Sequence, residues 1–264
     1  MDLGLRGKVA IVGGSSRGLG FGCASVLVRE GAHVVVSAAH DSNALEAARA
    51  DLARMGGGEV LAVRANMGVS EDTERLVQET VERFGGVDIL VNNSGGPPAG
   101  AFTDLDDATW VSACEGTLLS VVRMCRLVVP SMRLRGGGRI VNIASLVVRE
   151  PSEQLVLSGA FRAGVVNFSK AISRSLITDH ITINTVFPGS FRTERATALL
   201  MRTAAKEGIT LEQAQARSMA RLPLGRFQEP EELGNLVAFL CSGLAGGITG
   251  TTITIDGGSS KGVL

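Results

Sequence analysis

The sequence contains no tyrosine, and aromatic residues make up only 4% of the chain. A chain without tyrosine has no phenol that could donate a proton at a catalytic site. Cysteine is also scarce: the four residues form no C-x-x-C pair and have no histidine at metal-ligand spacing. We therefore predict buried free thiols and no metal site. The cysteines are Cys23, Cys114, Cys125 and Cys241.

Neither sign of charge is in excess, since 26 Lys and Arg residues balance 26 Asp and Glu residues. No basic stretch with interleaved aromatic residues stands out, so nucleic acid is not expected as a partner. The N-terminal segment, MDLGLRGKVAIVGG, has an apolar run too short for a membrane helix and lacks the order of regions of a signal peptide. We predict a cytoplasmic protein that does not act at a membrane.

Short β-branched runs alternate along the chain with segments of helical apolar spacing. Strands are predicted at 8–13, 33–37, 59–64, 88–92 and 139–144, and helices at 18–30, 41–55, 71–84, 106–134 and 153–177. Ser70 is expected to cap the third of these helices. The alternation predicts one α/β domain over residues 1–264, built on a Rossmann-type doubly wound parallel sheet of about seven strands with helices on both faces.

A glycine-rich turn, GSSRGLG at residues 14–20, joins the first predicted strand to the first helix. Glycines at such a turn let backbone N–H groups approach a pyrophosphate at the positive end of the helix dipole. The turn therefore predicts a dinucleotide site, and a purely structural connection is the alternative.

Further motifs follow the turn in order: NM at 66–67, NNSG at 92–95, PG at 188–189 with Thr193 after it, and DGG at 256–258. Together they resemble the short-chain dehydrogenase/reductase family, and its 3-oxoacyl-[acyl-carrier-protein] reductases in particular, over nearly the whole chain. The resemblance implies a nicotinamide cofactor and a small-molecule carbonyl or alcohol substrate. The cofactor-binding residues that it implies are Gly14, Ser16, Arg17, Gly18, Leu19, Gly20, Ser37, Asn66, Met67, Asn93, Gly95, Pro188, Gly189 and Thr193.

The end of the second predicted strand bears on the choice of cofactor. NAD-preferring relatives carry an acid there for the ribose hydroxyls, but this chain has Ala38 followed by Ala39. No carboxylate would repel a 2′-phosphate, and Arg17 offers a guanidinium to pair with it, unless Arg17 is simply a solvated loop residue. We expect NADP(H) to be preferred, with NAD(H) as the alternative.

The family's catalytic tetrad of Asn, Ser, Tyr and Lys is matched only at its serine. Counting along the motifs gives the corresponding residues as Thr117, Ser145, Ser158 and Arg162. A phenol titrates at about 10 and an aliphatic hydroxyl at about 15.7, so Ser158 is a weaker proton donor by roughly 8 kcal/mol. Arg162, four residues later on the same helix face, stays protonated and could hold ribose hydroxyls or an anionic substrate.

Three functions remain open. The first is an oxidoreductase with a divergent tetrad, whose proton comes from water, the substrate or another residue; Glu153 is the nearest ionisable candidate, although it is more simply a solvated acid. The second is a cofactor-binding or interaction protein that has lost catalysis. The third is a lyase similar to the haloalcohol dehalogenases, which Arg162 favours and which the missing tyrosine and the retained glycine turn oppose.

The C-terminal third is expected to carry the substrate side. Residues 190–225 contain two predicted helices, broken near Gly208, and the resemblance implies that they cover the pocket. Arginines at 192, 195 and 202 would favour an anionic substrate or simply face solvent. The resemblance also implies a homotetramer, which a surplus of apolar residues on one predicted helix supports. These residues are Val121, Val122, Met124 and Cys125.

Overall fold

The computed structural model describes residues 2–262, which form a parallel seven-stranded sheet with helices on both faces. The strands are β1 Val9–Val12, β2 His33–Ala38, β3 Val60–Arg64, β4 Ile89–Asn92, β5 Gly138–Ile143, β6 Ile181–Pro188 and β7 Thr252–Ile255. Their order in the sheet is β3-β2-β1-β4-β5-β6-β7. The predicted Rossmann-type fold is confirmed. Met1, Val263 and Leu264, which the domain prediction included, lie outside the described residues.

The connections between strands are mostly helical. The α-helices are α1 Gly18–Arg29, α2 Ser42–Met55, α3 Ser70–Phe84, α4 Asp107–Cys114, α5 Ser120–Leu134, α6 Val156–Leu176, α7 Glu194–Glu207, α8 Leu211–Met219 and α9 Pro230–Cys241. Helices α7 and α8 meet at Gly208, which has a φ of 65° and ends α7 in the left-handed conformation that glycine adopts most readily.

Two layers of helices bury the sheet. Helices α1, α2 and α9 pack on one face, and α3, α5 and α6 pack on the other. Side chains alternate between these layers along β1, because Ala10 and Val12 join the first core and Ile11 joins the second. Glycine allows the close approach of α1 and α9, since a Cβ on Gly22 would lie 2.5 Å from Pro230.

The strand order fixes the place where a ligand can bind. From β1 the chain proceeds to β2 and β3 on one side of the sheet and then to β4 on the other. Open α/β sheets bind ligands in the crevice beyond the carboxyl ends of strands at such a reversal. The segments that follow β1 and β4 therefore meet at the expected site.

The structure corrects two predicted helix boundaries. The helix predicted at 106–134 is interrupted by a π turn at Glu115–Leu119, which separates α4 from α5. Such turns are frequent at functional sites, and this one contains Thr117. Ser70 is the first residue of α3 rather than its cap, and no side-chain hydrogen bond caps that helix.

The apolar residues of α5 are mostly internal. Val121, Met124 and Cys125 are each at most 7% exposed and pack against the sheet of their own chain. The argument that took them as evidence for a partner subunit was wrong, although the tetramer itself stays a prediction. The large apolar side chains that stay exposed in this region are Val111, Leu119 and Leu134, of which Leu134, at the end of α5, is 91% exposed.

Candidate active site

One side chain holds the glycine turn against β4. The amide of Asn93 donates from Nδ2 to the carbonyl oxygens of Gly13 and Gly14, at 3.0 Å each. Gly14 has a φ of 52°, in the region that favours glycine. A Cβ on Gly20 would collide with the Gly14 carbonyl oxygen and lie 2.8 Å from Asn93 Nδ2. The turn thus has no room for larger side chains, and the first backbone N–H groups of α1 are left free at the crevice.

A cleft of about 770 Å³ lies over the carboxyl ends of β1, β4 and β5. It extends from the glycine turn to the beginning of α7 at Thr193. A Cβ added to Gly95 would meet no atom within 4 Å, so the backbone floor of the cleft is open there. The volume falls within the range of about 300–1,000 Å³ that is typical of ligand sites. These residues fit a dinucleotide whose phosphates lie at the start of α1.

Many of the predicted cofactor residues border this cleft. Those that line it are Gly14, Arg17, Gly18, Leu19, Asn93, Gly95, Gly189 and Thr193. Those outside its lining are Ser16, Gly20, Ser37, Asn66, Met67 and Pro188. The hydroxyl of Ser37 is buried and has no hydrogen-bond partner within residues 2–262. The backbone of Ser37 pairs with Ser15, which joins the end of β2 to the glycine turn.

An acid fixes the loop after β3. Asp72 Oδ2 accepts a 2.8 Å hydrogen bond from the N–H of Asn66, and Asn66 Oδ1 accepts one of 3.0 Å from the N–H of Gly68. The Asn66 N–H, followed by Arg75, holds the pKa of Asp72 below its ordinary value. The predicted adenine-side pair is thus held at the end of β3, with Met67 buried.

Arg162 is the member of the predicted tetrad that lines the cleft. Its Nη1 donates to the carbonyl oxygen of Ile143 at the end of β5, at 2.6 Å. Its Nε donates to Ser158 Oγ, at 3.2 Å, as residues four apart on a helix can do. The side chain is partly buried, and these two bonds use two of its five N–H donors. The guanidinium therefore lies at the floor of the cleft with donors to spare.

The other candidate catalytic residues do not line the cleft. Ser158 is partly buried beside Arg162. Ser145 Oγ accepts a 3.3 Å hydrogen bond from the backbone N–H two residues later, which caps a 3₁₀ turn. Thr117 is 4% exposed and shares with Arg162 a small, partly open cavity of about 10 Å³, room for about one water molecule. Glu153 is exposed in the connection before α6.

Helix packing sets the position of Arg162. Trp110 of α4 meets Phe161 of α6 edge to face, with ring centroids 5.7 Å apart. Gly164 lets α6 approach the π turn, because a Cβ there would already lie 3.1 Å from Leu118 Cδ2. These contacts hold the N-terminal half of α6, which carries Arg162, against α4 and the π turn.

Comparisons with known proteins extend over nearly the whole chain. The family model described as enoyl-(acyl carrier protein) reductase matches residues 14–260. The 3-oxoacyl-[acyl-carrier-protein] reductase of Vibrio cholerae is 33% identical over 256 residues, which cover 97% of this chain and 98% of that protein. The D-beta-hydroxybutyrate dehydrogenase of Cupriavidus necator is 34% identical over 256 residues, with coverages of 96% and 98%. The L-sorbose reductase of Gluconobacter frateurii, solved with NADPH and L-sorbose, has a TM-score of 0.95, 32% identity and 100% coverage of both chains.

The chain belongs to the short-chain dehydrogenase/reductase family. The family inferred from the motifs is confirmed, and the chain stands among NAD(P)-dependent oxidoreductases of carbonyl and alcohol substrates. This family member has Ser158 and Arg162 where the family pattern has Tyr and Lys. Within residues 2–262, no helix combines the length and the apolar character that crossing a membrane requires.

The cleft of this short-chain dehydrogenase/reductase is positively charged. Among the described residues, three arginines and one glutamate line it: Arg17, Arg162, Arg195 and Glu194. Glu194 Oε2 lies 2.9 Å from Arg17 Nη1, in an ion pair whose side chains are 69% and 62% exposed. Burial, followed by the charge of Arg195, lowers the pKa of Arg162 to about 10. Arg162 remains protonated at neutral pH, but in an environment that disfavours its charge.

Sequence reasoning passed over two residues of the site. Ser94 lines the cleft, and its Oγ donates to the carbonyl oxygen of Gly116 at 2.9 Å, which joins the end of β4 to the π turn. Its place inside the NNSG motif was the available signal. Glu194, at the start of α7, contacts Arg17 across the mouth of the cleft. No local pattern could reveal that pair, because its members are distant in sequence.

Proposed function

We propose that this chain is an NADP(H)-dependent oxidoreductase that interconverts a carbonyl and an alcohol in the cleft beside Arg162. The observation that carries the proposal is one continuous cleft with the glycine turn at one end and Arg162 at its floor. Relatives support it: the Vibrio cholerae protein is a 3-oxoacyl-[acyl-carrier-protein] reductase, and the Gluconobacter frateurii enzyme was solved with NADPH.

The glycine turn and the start of α1 would hold the cofactor's diphosphate, where N–H groups and the helix dipole favour negative charge. NADP(H) is favoured over NAD(H), because β2 ends at Ala38 and offers no carboxylate to repel a 2′-phosphate. Arg17 would exchange Glu194 for that phosphate. An exposed ion pair contributes only about 0–1 kcal/mol, so its loss is small beside a charge-assisted guanidinium–phosphate contact.

The bound cofactor would supply a hydride to the carbonyl carbon, or accept one from the alcohol carbon. As the carbonyl is reduced its oxygen becomes an alkoxide, and Arg162 places a positive charge where this negative charge develops. Ser158 is too weak an acid to replace a phenol, by roughly 8 kcal/mol. Water is no stronger an acid than Ser158, but it reaches the open cleft freely. We assign to it the proton that completes the alcohol, which leaves hydroxide for the solvent to neutralise and leaves the reaction without the rate contribution of a placed general acid.

Ser145 and Thr117 would position the reacting groups. Ser145 does not itself line the cleft but follows Ala144, which does. Its oxygen accepts a backbone hydrogen bond, which leaves its O–H free to donate toward a substrate oxygen at that end of the cleft. Thr117 borders the cavity of about 10 Å³ beside Arg162, and a water there would link the two side chains. Ser158 accepts from Arg162 Nε and so helps to orient the guanidinium.

The surrounding chain would complete the enzyme. We propose one domain over residues 1–264, a cover over the bound substrate formed by residues 190–225, and a cytoplasmic homotetramer. The cover is supported by the start of α7, where Thr193 and Arg195 line the cleft. The tetramer rests on the family resemblance, and a monomer in light scattering at micromolar protein would refute it.

Calorimetric titration with NADPH and NADH tests the proposal. We expect NADPH to bind at least about tenfold more tightly, the effect of one charge-assisted contact, and Arg17→Ala to bring the ratio close to one. Arg174→Ala, at an exposed arginine in the last turn of α6 outside the cleft, is the matched control and should leave both affinities unchanged. Failure of both cofactors to bind at millimolar concentration refutes the proposal. Binding without NADPH consumption by any ketone would indicate a cofactor-binding protein instead.

A further inference from the structure

Two guanidinium groups of the cleft have no acidic partner among residues 2–262. Glu194 neutralises Arg17, but within residues 2–262 no carboxylate lies at ion-pair distance from Arg162 or Arg195. The chain as a whole carries a formal net charge of zero, so this concentration of positive charge is local. Like charges that share a cavity repel each other, and an anion bound between them would relieve both the repulsion and the desolvation.

Arg162 provides the charge at the floor of the cleft. Its hydrogen-bond acceptors, the Ile143 carbonyl and the Ser158 hydroxyl, are neutral oxygens. They satisfy donors without compensating the charge. The pKa of Arg162, lowered to about 10 by burial and then by Arg195, agrees with a charge that lacks compensation.

Arg195 provides the charge on the opposite wall. It lies in the first turn of α7, and its guanidinium occupies the space that a side chain at Gly96 would fill. Its neighbour Arg192 differs, because that arginine is paired with Glu229 at 2.8 Å. Arg195 is therefore the arginine of this segment that is both at the cleft and without a carboxylate partner among the described residues.

We propose that Arg195 determines substrate specificity by binding the carboxylate of a short oxo acid, whose carbonyl oxygen then faces Arg162. This inference rests on the proposed function, because the same cleft receives the reacting ketone. A guanidinium binds a carboxylate through two parallel N–H···O bonds, an interaction that a neutral ketone cannot make. The cofactor's diphosphate would be the other anion in this cleft, and the experiment separates the two.

The experiment measures binding by calorimetry at saturating NADP⁺ and again without cofactor. The probes are pyruvate, acetoacetate and levulinate, each beside its methyl ester, which keeps the ketone and removes the charge. We expect at least one acid to bind about tenfold or more tightly than its ester. Arg195→Gln should bring that acid-to-ester ratio close to one, and Arg195→Lys should retain part of the preference. Arg174→Gln, at an exposed arginine in the last turn of α6 outside the cleft, is the matched control and should keep the ratio of the natural chain.

Each remaining outcome is decisive. Equal binding of every acid and its ester, or an acid preference that survives Arg195→Gln, overturns the inference. A loss of NADPH affinity in Arg195→Gln equal to its loss of acid affinity would assign Arg195 to the diphosphate and also overturn it. If neither cofactor binds, the proposed function fails, but the carboxylate site is still tested, because the acid-to-ester comparison is also made without cofactor. A circular dichroism melt confirms that each variant is folded.

Discussion

The double change Ser158→Tyr with Arg162→Lys should raise NADPH-dependent ketone reduction by at least about a hundredfold over the natural chain. The two positions are hydrogen-bonded on one face of α6, with Arg162 at the floor of the cleft. The substitutions would place the family's acid and its cationic partner on that face, next to the strand end that leads to Ser145. The prediction applies if the reaction is limited by its proton donor.

The expected rate gain follows from the acidity of the phenol, and the expected loss of stability follows from the space around Ser158. A phenol is more acidic than an aliphatic hydroxyl by about six pKa units, or roughly 8 kcal/mol, and placed general acids typically recover a factor of about 10²–10⁴ of such a difference. Ser158 is partly buried, so the added ring would cost about 1–3 kcal/mol of stability through overpacking. Loss of the hydrogen bond from the charged Arg162 guanidinium to the Ile143 carbonyl adds about 1.5–3 kcal/mol. The variant should therefore fold, with a lower melting temperature.

The assay follows NADPH oxidation with an activated ketone under saturating cofactor. The matched control is Ser158→Phe with Arg162→Lys, which adds the same ring without its hydroxyl and should show no gain. Each single variant separates the effect of the phenol from that of the lysine. A folded, cofactor-bound double variant no faster than the phenylalanine control would refute the reasoning and show that the pocket differs elsewhere, for example at Thr117.

Two further predictions concern stability and thiol reactivity. Asp88 accepts hydrogen bonds from Arg135 (2.9 and 2.8 Å) and from the Val9 N–H (2.8 Å), so Asp88→Asn should lower the free energy of unfolding in urea at pH 7. We expect a loss of about 1.5–3 kcal/mol, the range for hydrogen bonds to a charged group, because water can reach the Arg135 side chain, which is 30% exposed. Burial opposes ionisation of Asp88, but these hydrogen bonds hold its pKa below the ordinary value. The natural chain should therefore lose this stabilisation as pH falls below about 4. The variant, which has no carboxyl at this position, should show no such loss. Equal stability at pH 7 would contradict this. Burial also raises the pKa of Cys125 and of Cys241 to about 12, and it raises the pKa of Cys23 as well. Ellman's reagent at pH 8 should therefore modify at most Cys114 in the folded protein, and all four thiols once the protein is unfolded in urea.

The fold was predictable because its signals are local. Each strand is a short β-branched run. The glycine turn has left-handed backbone at Gly14 and Gly18, and glycine, the residue that adopts this conformation most readily, occupies both positions in the sequence. The contact between Ser158 and Arg162 was predictable for the same reason, since helical spacing alone brings residues four apart together.

The π turn and the charge of the cleft were not predictable in this way. Glu115–Leu119 departs from regular helix where it packs against Gly164 of α6, a contact between segments far apart in the chain. The three cleft arginines also come from three separate segments. Only the fold shows that Glu194 pairs with Arg17 and that, in the part of the chain that the structure describes, Arg162 and Arg195 have no acid as partner. The prediction that the apolar residues of α5 contact a partner subunit was wrong for a related reason, because the composition of a helix does not tell which of its apolar residues the chain itself will bury.

The two departures from the family tetrad are chemically related. A lysine beside a catalytic tyrosine serves partly to lower the phenol's pKa, and that role disappears when the phenol is absent. An arginine at the same place cannot relay protons, but it keeps a fixed positive charge and can bind the Ile143 carbonyl, the Ser158 hydroxyl and a further oxygen at once. Replacement of both residues therefore changes the site from one that transfers a proton to one that stabilises negative charge. A site of the second kind gains most from a substrate that brings an anion with it. For this reason the missing tyrosine and Arg195, which has no acidic partner among the described residues, point to the same class of substrate.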